Sequence, residues 1–508
     1  MTISRKKISW CVVLACLFVH PFAHAIDLPD FGDPSGAVIS PSQEHRIGET
    51  MLRQFRRDGR LVHDPEVEAY IQSLGSKLSV ASDDSAQFFE FFVVDNPVIN
   101  AFAAPGGFIG VHTGLILNAQ SESELAGVLA HEIAHVTQKH LARAFERASQ
   151  LSIPMAAAML GAILIGAQNP EMAQAAITAV TAGNVQMQLD FTRSNEEEAD
   201  RIGIQTLARS GFDPQGMPSF FERLQRANRY TDTLKLPEFL RTHPVTVSRV
   251  AEARSRAEHY PIKPHKDSLN FQLIQAKLQV AAWGNPGEAK GFFEKRLRED
   301  KDFSDIARYG YVLALIEAGD HGKARAEVER LLKSNGTEPA YLLAAGKLAL
   351  KEGRFDEALN TYAKASALYP GSRPVLIAYA EALLHAGKPL EAKKRLQDYA
   401  RNHPRDLVYY SLLAEAEGKA GSQVEAHLAL AERHYLSGET MLAREQLKFA
   451  QRDAHVDHYQ RQRIEARLKD FEKELCEEQE ETRGPVARQL PRILQETELD
   501  CRPYEPKN

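Results

Sequence analysis

The stretch His131-Glu-Ile-Ala-His135 decides how the first half of this chain is read. Two histidines at i and i+4 lie one turn apart on one helix face, so both imidazoles can reach a single ion. Glu132 sits about 100° round the helix, off the ligand line but within reach of a metal-bound water. Zinc lowers the pKa of such a water to roughly 7, and a glutamate can take its proton at neutral pH. A chance match on an ordinary helix is the competing explanation, and the flanking residues argue against it. Ser121-Glu-Ser-Glu124 predicts a helix start, with Ser121 as N-cap and Glu124 completing a capping box. Leu125, Val128, Leu129, Ile133 and Val136 then recur at helical spacing. The motif therefore falls in a largely buried helix. Two imidazoles and a carboxylate are costly there unless a metal and hydrogen bonds satisfy them.

A tetrahedral catalytic zinc takes three protein ligands and keeps one position open. Ser194-Asn-Glu-Glu-Glu-Ala-Asp200 predicts a second helix, ended by Gly211 with Pro214 just beyond. Glu196 and Asp200, four apart, share a face. Glu196 is the chosen third ligand, and Asp200 can accept a hydrogen bond from a ligand histidine and fix its tautomer. Spacing alone leaves alternatives open. Glu197 or Glu198 competes for the ligand role, and the run also reads as a solvated acidic face at a helix N-terminus.

HEIAH followed some sixty residues later by NEEEAD resembles the zinc peptidases of the CAAX-prenyl-protease and HtpX type. Asn100-Ala-Phe-Ala-Ala-Pro-Gly-Gly-Phe-Ile-Gly-Val-His-Thr-Gly114 looks like the strand and turn before their zinc helix. Leu240-Arg-Thr-His-Pro244 and Ser248-Arg249 look like their late His-Pro and Arg elements. The resemblance implies one Zn2+ per chain held by His131, His135 and Glu196. It also implies that His243 can approach the zinc in a latent state, as a fourth ligand; the alternative is a helix-start histidine that binds substrate or an aspartate. Glu132 is the expected base, Asp200 the residue the family labels acid-like, and Arg249 a candidate to stabilise an oxyanion. An extended substrate is expected to add to a strand edge near Asn100 to Ala104.

The N-terminus speaks for export. Arg5, Lys6 and Lys7 precede an apolar run from Ile8 to Phe22, and Ala23-His-Ala25 fits a cleavage site. Residues 1–25 are expected to be a signal peptide. Beyond it the chain keeps two of its four cysteines, Cys476 and Cys501, which an oxidising compartment pairs; two free thiols are the alternative. The 508 residues carry a formal net charge of -6, which gives no reason to expect nucleic acid. Leu151 to Ala167 is apolar but only about 17 residues long and contains Pro154. The segment 151–187 is read as a buried helix or lid beside the site, with peripheral membrane contact as the sharper alternative.

The second half repeats. Gly284, Gly319, Gly353, Gly387, Gly421 and Gly438 are each followed five residues later by an alanine, and successive alanines lie 35, 34, 34, 34 and 17 residues apart. A 34-residue period of paired helices is the tetratricopeptide signature, in preference to an irregular bundle. The short last interval makes one helix, near Ala426 to Tyr435, serve two overlapping units. The fold expected is an α+β zinc metallopeptidase domain, mostly helical with a small sheet, followed by an all-α tetratricopeptide-repeat solenoid. The boundaries expected are 26–262 for the peptidase, 267–475 for the repeats with a capping helix, and 476–508 for a tail. An exported peptidase with such repeats is similar to periplasmic enzymes of Gram-negative bacteria. That resemblance implies a zinc endopeptidase and chaperone acting on misassembled outer-membrane β-barrel proteins, with repeats that contact the barrel-assembly machinery. The alternative is a non-catalytic holdase or scaffold with a structural or latent zinc site.

Overall fold

The computed structural model describes residues 40–151, 185–228, 238–261, 266–299, 304–400, 406–482 and 501. The expected signal peptide lies outside these residues, as does most of the 151–187 segment.

The N-terminal half begins with α1 (Pro41–Arg57) and α2 (Pro65–Val80), each entered through a proline in its first turn and a side-chain cap, Ser40 and Asp64 respectively. Three strands follow: β1 (Glu90–Val94), β2 (Ala101–Ala104) and β3 (Phe108–His112). The sheet order is β1-β3-β2, with β1 parallel and β2 antiparallel to β3. Among the described residues no strand pairs with the outer edge of β2. A short helix α3 (Thr113–Asn118) leads into α4 (Glu122–Thr137), which carries the HExxH motif. Then come α5 (His140–Leu151), α6 (Val185–Arg209), α7 (Gly216–Asn228), α8 (Glu238–Thr242) and α9 (Val247–Glu258).

Helix α4 is the axis of this half. Leu125, Val128, Leu129 and Ile133 are fully buried, in one cluster with Ile71 and Val111 from the helix and sheet on one side and Phe220 and Phe221 from α7 on the other. Its start differs from expectation in one detail. Ser121 caps the helix by accepting from the Glu124 backbone N–H, but the Glu124 carboxylate reaches the Gln120 N–H, so the reciprocal box is displaced by one residue. Helix α6 also starts earlier than the acidic run suggests, which places Glu196 and Asp200 inside the helix rather than at its N-terminus. Its end is as expected, at Gly211 with φ +79°.

The repeats are α10 (Leu269–Ala282), α11 (Pro286–Glu299), α12 (Ser304–Glu317), α13 (His321–Ser334), α14 (Pro339–Lys351) and α15 (Phe355–Leu368). They continue through α16 (Arg373–His385), α17 (Pro389–Ala400), α18 (Leu407–Lys419), α19 (Gln423–Leu436), α20 (Thr440–Arg452) and α21 (His458–Thr482). All six of the periodic glycines have positive φ, between 63° and 83°, the turn conformation that glycine adopts without a Cβ clash. Helix α19 packs against both α18 and α20, which is the shared helix behind the half-period interval. The closing helix α21 runs past the expected end at residue 475, through residues of high helix propensity with no proline. Cys476 on α21 is disulfide-bonded to Cys501, with Cα atoms 5.5 Å apart.

The two halves are not beads on a string. Phe271, Ile274 and Leu278 of α10 belong to the core of the N-terminal half, whereas Leu273 and Ala276 face the repeats. Arg373 links α16 to Glu68 on α2 at 2.8 Å, and Lys277 pairs with Asp64 at 2.8 Å. At the far end the buried Arg53 of α1 pairs with Glu474 and lies 4.7 Å over the Tyr435 ring. The solenoid therefore curves back onto the N-terminal half.

Candidate metal centre

Four side chains from two helices and a turn converge. His131 and His135 come from α4, Glu196 from α6 and His243 from the turn after α8, and one ligand atom of each lies within 4.8 Å of the others. The approach of α4 and α6 depends on Gly203. A Cβ there would stand 3.1 Å from the His131 backbone nitrogen and 2.8 Å from the Met217 methyl, so a larger residue forces the two helices apart.

The distances fit a metal. His131 Nε2 lies 3.0 Å from His135 Nε2 and 3.3 Å from His243 Nδ1. Glu196 oxygens lie 3.5 Å from His131 Nε2, 3.4 Å from His135 Nε2 and 3.0 Å from His243 Nδ1. Ligand atoms about 2.0–2.1 Å from a tetrahedral zinc are about 3.3–3.4 Å from one another, and these separations of 3.0 to 3.5 Å bracket that value, with Glu196 reaching His131 through Oε2 and the other two rings through Oε1. The charges agree. With neutral imidazoles, the buried Glu132, Glu196 and Asp200 carry a formal -3 against +1 for the buried Arg249, and a divalent cation balances the remaining -2.

The second layer orients the first. His131 Nδ1 is 3.0 Å from Asp200 Oδ1, though off the line of a straight hydrogen bond. Arg249 donates to both Asp200 oxygens, at 2.8 and 2.9 Å, to Glu196 Oε2 at 2.9 Å and to the Pro244 carbonyl at 2.8 Å. Its guanidinium is thereby committed to holding two carboxylates and the His243 loop. That placement does not present it to a developing oxyanion, the role its sequence position suggested. Burial opposes a charged His131 ring, but Asp200 and Glu196 outweigh it and lift its pKa to about 10. Burial likewise works against ionised Glu196, yet His243, His131 and His135 hold its carboxyl well below the usual range. Asp200 is held down, against burial, by His131 and Arg249. Burial pushes His135 in the opposite direction, towards the neutral form a metal needs.

Glu132 is 1% exposed, and its Oε1 accepts no hydrogen bond while lying 3.5 Å from His243 Nε2. A buried carboxylate oxygen without a donor is what a base awaiting a proton requires. His243 thus stands between the base and the ligand cluster, its ring tilted against Phe239 with centroids 5.0 Å apart. Of the competing glutamates, Glu198 points away: it pairs with His140 at 3.2 Å and Arg143 at 2.8 Å. Reasoning from sequence passed over His140. Its signal was a third histidine five residues after the motif, and its Nδ1 now lies 2.8 Å from His135 Nδ1, on the ring face opposite the cluster.

Comparison with known proteins agrees with this geometry. The model of peptidase family M48 matches residues 65–257, and tetratricopeptide-repeat models match residues 309–373 and 349–416. The beta-barrel assembly-enhancing protease of Escherichia coli K12 is 37% identical over 451 residues, covering 88% of this chain and 92% of that protein. The protein of the same name from Yersinia pestis is 34% identical over 447 residues, covering 87% of this chain and 90% of its own. A mitochondrial metalloendopeptidase, OMA1 of Arabidopsis thaliana, is 32% identical over 156 residues, covering 31% of this chain and 29% of that one.

Proposed function

This chain belongs to the beta-barrel assembly-enhancing proteases and is a metalloendopeptidase of family M48, and from that premise we propose a zinc-dependent endopeptidase and chaperone of the periplasm. Its clients are misassembled outer-membrane β-barrel proteins, which it degrades or helps to assemble. Residues 1–25 direct export and are removed, residues 26–262 carry the catalysis, and the repeats in 267–475 bind the barrel-assembly machinery and clients. The names of the relatives support the client class, and the stacked repeats support a protein partner. No helix among the described residues is long and apolar enough to cross a membrane. Peripheral contact through 151–187 is part of the proposal.

One observation carries the catalytic reading: ligand atoms of His131, His135 and Glu196 converge beside an unpaired, buried Glu132 oxygen. We assign His131, His135 and Glu196 as the ligands. Zinc suits two imidazoles and a carboxylate, and when bound it supplies the Lewis acidity that polarises a peptide carbonyl and acidifies water. Glu132 takes the proton from the attacking water at its free Oε1 and returns it to the leaving amine. Asp200 fixes the His131 tautomer, and Arg249 fixes Asp200 and Glu196. The unpaired outer edge of β2 suits an extended client, because strand addition reads backbone rather than sequence. We read His243 as a gate: its Nε2 lies 3.5 Å from Glu132 Oε1, which supports a latent resting form that opens when the His243 loop moves.

A scaffold with a structural site is the rival, and Glu132 separates the two. Glu132→Gln should keep about one zinc per chain while lowering client turnover about 10²–10⁴-fold. Full turnover by this variant would remove Glu132 from the chemistry.

A further inference from the structure

His135 is oriented by a route different from the one that serves His131. His131 faces a carboxylate directly, Asp200 at 3.0 Å. His135 faces a second imidazole: its Nδ1 is 2.8 Å from His140 Nδ1. The other nitrogen of His140 is 3.2 Å from Glu198 Oε2, which also accepts from Arg143 at 2.8 Å. The backbone is bent to make this contact. Lys139, between the two helices, has φ 52°, a conformation that costs a non-glycine residue about 1 kcal/mol or more. That turn swings His140, 4% exposed, back onto the histidine five residues before it.

The donors can be assigned by elimination. His135 Nε2 points to the ligand cluster, 3.0 Å from His131 Nε2, and must keep its lone pair to bind an ion. Its proton is therefore on Nδ1 and is donated to His140 Nδ1. That nitrogen must then be an acceptor, so the proton of His140 is on Nε2, where Glu198 accepts it. Each of the three bonds has one donor and one acceptor, and no other tautomer pair leaves His135 Nε2 free.

We infer that His140, held by Glu198 and Arg143, is a positioning residue that sets the tautomer and ring angle of His135 through an imidazole relay. This rests on the zinc reading above. A carboxylate acts on His131 at first hand and on His135 only through a neutral ring, so the two ligands differ in basicity. The relay also reaches the surface at Arg143, whose side chain is 38% exposed, whereas Asp200 is sealed inside.

The test is zinc affinity of the purified full chain, measured by competition with a chromophoric chelator, together with thermal unfolding of the metal-free protein. His140→Ala should weaken zinc binding about 10- to 100-fold. His140→Asn, whose amide oxygen can accept from His135 Nδ1, should recover most of that loss. Glu198→Ala, at a partly exposed position, should weaken binding by about tenfold with an unchanged metal-free melting temperature. It carries the test if His140→Ala does not fold. Binding by these variants as tight as in the unaltered chain overturns the relay, as does an Asn variant no better than Ala. An unaltered chain that takes up no zinc overturns the metal reading itself, a failure visible before any variant is made.

Discussion

Replacing Arg249 tests whether the centre is held together by its charges. Arg249 is 2% exposed and donates to Asp200 twice, to Glu196 and to a backbone carbonyl. Arg249→Met keeps the stem but takes one of two cations from a pair of buried carboxylates, each 4% exposed, and leaves them only His131. Removing one partner of a buried pair costs about 3–5 kcal/mol, against about 5–15 kcal/mol for the stability of a whole domain. At about 2–4 °C per kcal/mol, the metal-free peptidase half should melt roughly 6–20 °C lower at pH 7. The pH dependence identifies the cause. The folded-state pKa values of Asp200 and Glu196 are depressed. Their contribution is therefore present above the unfolded value of about 4 and lost as pH falls through the folded one. The gap between the two proteins should be full at pH 7 and close on acidification below about 4. Calorimetry of both proteins with a chelator present, from pH 7 to pH 3, measures it. A gap under about 0.5 kcal/mol, the size of an ordinary surface substitution, would refute the reasoning, as would a gap that does not change with pH.

Two further outcomes follow from the same geometry. His243→Ala should raise basal proteolysis of an unfolded client, because it opens the space between Glu132 and the ligand cluster; unchanged or lower activity in a peptide-release assay argues against a gate. Zinc uptake should release protons, since His131 is protonated in the metal-free protein up to about pH 10 and must be neutral to bind. Apparent affinity should therefore rise by up to tenfold per pH unit between 7 and 9, read by chelator competition, and a flat profile would contradict the charge pattern of the site.

The elements that sequence revealed are those governed by local rules. The i, i+4 histidines, the Ser121 cap, the apolar spacing of α4 and the Gly211 stop each depend on a few neighbouring residues. The repeats were visible for the same reason, because every turn glycine obeys one backbone constraint. The shared face of Glu196 and Asp200 followed from helical spacing, even though α6 begins well before the acidic run. Long-range matters were hidden. Nothing in the spacing says that Glu198 turns outward to His140 and Arg143 while Glu196 turns in. Nor does a periodicity show that Arg249 clamps carboxylates rather than facing substrate, because that depends on where α9 docks. The return of the solenoid onto α1 through Arg53, Tyr435 and Glu474 joins residues roughly 400 positions apart, and α10 divides its two faces between two cores. A boundary drawn at residue 262 or 267 passes over that sharing.

The most direct measurement is anomalous scattering at the zinc edge from crystals of the full chain. One peak per molecule should lie among His131 Nε2, His135 Nε2 and Glu196, with His243 beside it in the latent form. A peak that lacks position 196, or none at that place in zinc-replete protein, would contradict the account.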